Sequence, residues 1–70
     1  MTAQEWVAAF AGRLGVPAPD QATFDQLLGI AAEAAHSSER IAAPIATYLV
    51  GRAGLDPETA LALSRQTATD

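Results

Sequence analysis

The stretch AAHSSERIAAPIATYLVGRAG, residues 34–54, gathers most of the chemistry this chain could offer: its only histidine, an adjacent Glu39–Arg40 pair, two serines and Pro44. If a helix running into this stretch continues to Arg40, then Glu33, His36, Ser37 and Arg40 fall at i, i+3, i+4 and i+7 and share one face. The chemistry that pattern suits is anion recognition. Arg40 offers a two-pronged donor, His36 a second donor when protonated, and the start of the following helix its unpaired amides. Ala42 and Ala43 are poor caps, so those amides need a partner, whether Ser37, Ser38, Glu39, water or a ligand. The same residues also fit a purely structural corner. There the Glu39 carboxylate caps the next helix, Arg40 bridges to a carboxylate such as Glu33, and His36 is a hydrogen-bonded corner residue rather than an acid–base group.

Catalytic chemistry is disfavoured by elimination. The sequence has no cysteine nucleophile, no G-x-S-x-G, no glycine-rich phosphate loop and, with one histidine, no H-E-x-x-H. One His and no Cys leave only carboxylates to complete a zinc ligand set, and seventy residues build a concave substrate pocket with difficulty. The reading is therefore a non-enzyme with no cofactor and no metal.

These groups must be positioned by helices. TAQE opens the chain as a capping box, in which Thr2 accepts from the Glu5 amide while Glu5 reaches back to Thr2. Trp6, Val7, Phe10 and Leu14 then recur at helical spacing as an apolar stripe, up to the break at GVPAPD. A second helix, capped by Asp20 or Thr23, carries Phe24, Leu27, Leu28, Ala31 and Ala35 on one face, with Ile30 and Ala34 widening it. Being apolar nearly all round, it is expected to lie centrally, with Gly29 marking where a neighbour comes closest.

Pro44 inside a continuous helix would clash with the Arg40 carbonyl and remove a hydrogen bond, at about 3 kcal/mol, so a break is expected near residues 38–43. The third helix then begins around Ala43 to Pro44 and ends near Gly51 or Gly54; a variant starts it at Ser37 or Ser38 and tolerates a kink. LDPETALALSRQ places Asp56 as the cap of a fourth helix, Pro57 in its first position and Glu58 where it favours the dipole, while the final QTATD is expected to fray. Trp6 and Tyr48 read as core or rim aromatics whose polar edges stay wet.

Alanine accounts for 17 of the 70 residues, β-branched residues are few, and no stretch alternates with period two. The fold class that follows is all-α, one domain over residues 1–70, a compact four-helix arrangement with short connections. So many alanines leave few bulky groups to fill a core, and a core of this size supplies only about 3–5 kcal/mol of net stability. With no disulfide to help, packing or association must make up the margin. Four arginines and no lysine stand against eight acidic residues, a formal charge of −4 that repels phosphate backbones and anionic membranes. Neither nucleic acid nor membrane is an expected partner. The opening MTAQEWVAAFAGRLG has no positive n-region and no long apolar run, so the expectation is a cytoplasmic protein.

Across LLGIAAEAAHSSERIAAPIATYLVGRAG, with EWVAAFAGRLGV before it and LDPETALAL after it, the chain resembles a small helical domain of unknown function from actinobacteria. That domain occurs alone or C-terminal to nucleotidyltransferases resembling molybdenum cofactor guanylyltransferase. The shared pattern is an Ala-His, an Arg a few residues on, an Ala-Pro and a leucine-rich helix ending in glycine, here Ala35-His36, Arg40, Ala43-Pro44 and Leu49 to Gly51. The glycine-rich nucleotide-binding start of the transferase is absent, so the resemblance carries over no guanylyl transfer. It implies a neighbourhood: a helper in the maturation of molybdenum cofactor or related oxidoreductases.

Two functional expectations follow. The first is a non-catalytic accessory module that docks onto a protein, such as a nucleotidyltransferase or molybdoenzyme maturation factor, through a small apolar face. The second is a domain binding phosphate, nucleotide or pterin-phosphate at a corner made of His36, Ser37, Glu39, Arg40 and Pro44. Homodimerisation through the alanine-rich helices is compatible with either.

Overall fold

Thr2 starts the first helix as its sequence requires: the Glu5 amide donates to Thr2 Oγ1 (3.1 Å) and the Thr2 amide donates to Glu5 Oε1 (2.7 Å). In the computed structural model, which describes residues 1–69, this helix is α1, Ala3–Leu14. Gly15, at φ 76°, ends it: the left-handed turn lets the Val16 amide reach back to the Ala11 carbonyl (3.0 Å), a conformation costly for a residue with a Cβ. Asp20, not Thr23, caps α2, Gln21–Ser37, by accepting from the Thr23 amide at 2.8 Å.

The break before Pro44 is where the ring demands one. Helix α3, Ala42–Ala53, starts one or two residues earlier than the proline alone suggests and stops at Gly54, φ 65°. Pro44 thus occupies the third helical position, where its missing N–H has no partner to lose. Asp56 caps α4, Pro57–Thr69, taking the Thr59 amide at 3.2 Å with Pro57 in the first turn. The end of α4 departs from the expected fraying. The helix persists to Thr69, with Thr67 Oγ1 donating to the Leu63 carbonyl (3.0 Å) and Thr69 Oγ1 to that of Gln66 (2.9 Å). Asp70, the last residue of that stretch, lies outside the described residues.

The described residues form four helices and no strand. Helix α2 is the central element, with α3 and α4 each packed along it. At Gly29 α4 comes close, since a Cβ there would lie 3.0 Å from Leu61 Cδ1. Helix α1 makes no comparable contact with any other helix. The fold is compact but drawn out on one side: its radius of gyration is 12.3 Å, against about 11 Å for a chain of this length, and it measures 37 × 23 × 19 Å.

The interior is correspondingly small. Among the described residues only Ala11, Ile30 and Ala60 are buried apolar groups, and Ile30 alone is a bulky one. The apolar stripe of α1 is mostly surface, with Trp6 55%, Phe10 47% and Leu14 59% exposed, and of the two aromatics read as core or rim, Trp6 and Tyr48, neither is core. The expected amphipathic helix is present, but the chain offers its bulky face nothing to pack against.

Candidate functional site

The corner between α2 and α3 keeps the five candidate residues near one another in sequence but does not aim them at one point. Because α2 ends at Ser37, Arg40 lies in the turn beyond it, and the continuous Glu33–His36–Ser37–Arg40 face does not form. The cause is local: the Ser37 hydroxyl donates to the Glu33 carbonyl, the Ser38 hydroxyl donates to the Ala34 carbonyl (2.6 Å), and Ser38 leaves helical geometry at φ −143°, ψ −100°. Serines that bond back to the preceding turn compete with its continuation.

The start of α3 is satisfied by backbone. The Ala42 amide donates to the Glu39 carbonyl (3.0 Å), the Ala43 amide donates to the Arg40 carbonyl (3.2 Å), and Pro44 has no amide to offer. Ile41, the N-cap, makes no side-chain cap bond, so the Glu39 carboxylate does not cap this helix as expected; its carbonyl does part of that task. His36, Glu39 and Arg40 are exposed. Ser37 and Glu39 line an open groove with Ser38, whereas Pro44 lines a separate apolar gap on the other edge of α3. The arrangement can present an imidazole and a guanidinium to solvent, but the hydroxyls and amides that would complete an anion cradle are already engaged.

The larger feature is apolar. Between α3 and α4 runs a groove floored by Ile30 and Ala34 of α2, with Ala46 and Leu49 on one wall and Leu63 and Thr67 on the other. Its inner part holds about 330 Å³ and opens toward Ser37 and Glu39. A second apolar gap of about 300 Å³ separates Val7 of α1 from Phe24 and Leu27 of α2 and from Ala43 and Pro44 of α3. Outside these hollows stand Trp6, Phe10 and Leu14 on α1 and Tyr48 on α3, while Ile41, Ile45 and Leu49, also exposed, border the open end of the groove. Trp6 and Phe10 touch each other, ring centroids 5.0 Å apart, one helical turn apart on the same stripe.

The accessible surface totals 5223 Å². A monomer of 7.2 kDa is expected to expose about 4,100 Å², so about 1,100 Å² is in excess. The sequence hinted at this through its shortage of bulky residues. Periodicity could not reveal it, because a stripe that faces a core and one that faces a partner look alike.

Among the described residues no helix is long and apolar enough to cross a membrane, and no group of three or more His, Cys, Asp or Glu side chains is placed to hold a metal ion. No curated protein and no solved structure matches the chain significantly. A model of one family, a domain of unknown function designated DUF6457, matches residues 1–70, and the chain belongs to that family.

Proposed function

We propose that this protein is a non-catalytic helical accessory module whose working surface is made of the exposed apolar side chains of α1 and α3. The observation that carries the reading is the distribution of bulky side chains: one lies in the interior, and most of the rest stand at the surface. Soluble monomers seldom leave contiguous apolar patches beyond a few hundred Å², and larger ones mark interaction sites. The acidic balance, −4 overall, keeps such a face in solution until a protein partner covers it. The resemblance of the Ala35-His36, Arg40 and Ala43-Pro44 pattern to a domain attached to molybdenum cofactor guanylyltransferase-like proteins favours a nucleotidyltransferase or a molybdoenzyme maturation factor as the kind of protein served.

The test is an amide-shift titration of the isotope-labelled protein with such a nucleotidyltransferase, together with binding of an apolar dye to the protein alone. Shifts concentrated on Trp6 to Leu14 and Ile41 to Leu49, lost in Tyr48→Glu, support the reading. A protein that binds no dye at any concentration and shows no shifts overturns it.

A further inference from the structure

We infer that the apolar face is covered by a second copy of this chain, with the Trp6–Phe10–Leu14 stripe of each copy seated in the α3–α4 groove of the other. The inference rests on the docking reading's exposed apolar surface, but puts a second copy, in place of another protein, over it.

Three observations point to this chain as its own partner. The first is shape. The groove combines the small residues Ala34, Ala46 and Ala60 with apolar walls of Leu49, Leu55 and Leu63, and its inner part of about 330 Å³ is open to a large inserting side chain. The one tryptophan of the chain and one of its two phenylalanines stand in a row on α1, about half exposed. Residues at i, i+4 and i+8 project as a ridge about 12 Å long, shorter than the roughly 18 Å that α3 provides as a wall.

The second is topology. A chain's own α1 cannot fill its own groove without leaving its seat, because Val7 faces the gap bounded by Ala43, Pro44 and Thr47, on the opposite edge of α3 from Ala46 and Leu49. Helix α3 therefore lies between the knobs and the groove. The inferred dimer places a two-fold axis beside α3, on the side where Ile41, Ile45 and Tyr48 are exposed, so that each α1 is directed toward the other copy's groove. Reciprocal seating of this kind closes on itself, as an isologous dimer must.

The third is area and charge. An interface as large as that excess, about 1,100 Å² on each copy, would bury about 2,200 Å² in total, enough for a specific dimer. Arg13 lies in the last turn of α1, beside Leu14, and Glu39 stands at the groove's end near the start of α3. With α1 running antiparallel to the partner's α3, these two opposite charges meet at the rim, where they fix orientation more than affinity.

The experiment is sedimentation and tryptophan emission of the whole protein between about 1 μM and 1 mM, followed by mixing of two variants. The expected result is a monomer–dimer equilibrium in which Trp6 emission shifts to the blue as dimer forms. Phe10→Glu and Leu49→Glu, both at exposed positions, should each raise the dimer Kd at least about thirtyfold while circular dichroism stays native. Mixed together, they should recover dimer as a heterodimer, because one intact stripe then meets one intact groove. Failure of the mixture to recover dimer overturns the knob-in-groove arrangement. A wild-type protein that remains monomeric throughout, or grows past dimer into open assemblies, overturns the inference whatever the variants do. A monomer that still binds apolar dye would leave the docking reading standing and remove only the second copy as occupant, and one that binds none would remove both.

Discussion

Ile30→Ala should remove most of the protein's stability at 25 °C. Ile30 is the one large side chain taken fully out of water, on the helix that carries both α3 and α4. Removing three of its carbons forfeits about 2.4 kcal/mol of transfer free energy at about 0.8 kcal/mol per methylene. The hollow left behind adds to this, since neighbouring helices relax only partly, and the total falls within about 2–5 kcal/mol. A seventy-residue core has about 3–5 kcal/mol to lose. Ile30→Val, which removes one carbon, should cost about 0.5–1.5 kcal/mol, and at about 4–8 °C per kcal/mol it gives a measurable drop in Tm without abolishing the fold. Far-UV circular dichroism against urea, at one fixed protein concentration, reads both variants on the same scale. Phe10→Ala, at a half-exposed position, serves as the internal contrast at low concentration, where it should cost far less than Ile30→Ala. If Ile30→Ala melted within a few degrees of wild type, or Phe10→Ala cost as much in dilute protein, the claim that α2 organises the interior around Ile30 would be refuted.

Two glycines separate conformational need from helix propensity. Gly12→Ala, with open space where its Cβ would go, should stabilise α1 by up to about 1 kcal/mol, whereas Gly15→Ala, forced to φ 76°, should cost about 1–2 kcal/mol, both read from urea midpoints. The Glu5 carboxyl is held below the usual carboxylate range, chiefly by the Thr2 backbone amide and then by the Thr2 side chain, and Asp20 is held low in the same way by Thr23. A depressed folded-state pKa means that the capped helices keep this contribution above the unfolded carboxylate pKa and lose it as pH falls through the folded value. NMR titration should find Glu5 moving only part of the way back in Thr2→Ala, which removes the hydroxyl but keeps the backbone amide, and a wild-type Glu5 that titrates at the ordinary value would refute the capping-box assignment. Titration with phosphate, GTP or a pterin phosphate should leave the amides of residues 36–46 unmoved, because Ala42 and Ala43 already donate to backbone carbonyls; saturable shifts confined there would overturn that accounting.

Caps and breakers were the most legible part of the sequence. Thr2 with Glu5, Asp20, and Asp56 with Pro57 each name a helix start through a bond that spans three residues and needs no tertiary context. Pro44 forced the break between α2 and α3 for an equally local reason. The central position of α2 followed from its apolar circumference, and the close approach of α4 from Gly29. The corner itself was less legible. Whether α2 reached Arg40 depended on two serine hydroxyls choosing carbonyls one turn back, and the cap of α3 depended on backbone carbonyls that carry no signature in residue type.

What pattern alone could not say is where the α1 stripe goes. A period of 3.6 states that one face of a helix is apolar, and hydrophobicity states that water will be excluded from it, but neither names the surface that does the excluding. Position supplies part of the missing constraint. The gap beside α1, about 300 Å³, is lined from that helix by Val7, while Trp6, Phe10 and Leu14 stand exposed outside it. A hollow of similar size, about 330 Å³, opens on the far edge of α3. If a second copy covers the α1 stripe, as we infer, the two molecules share a core that neither completes alone. The thinness of the interior around Ile30 and the exposure of Trp6 and Phe10 are then two consequences of one arrangement.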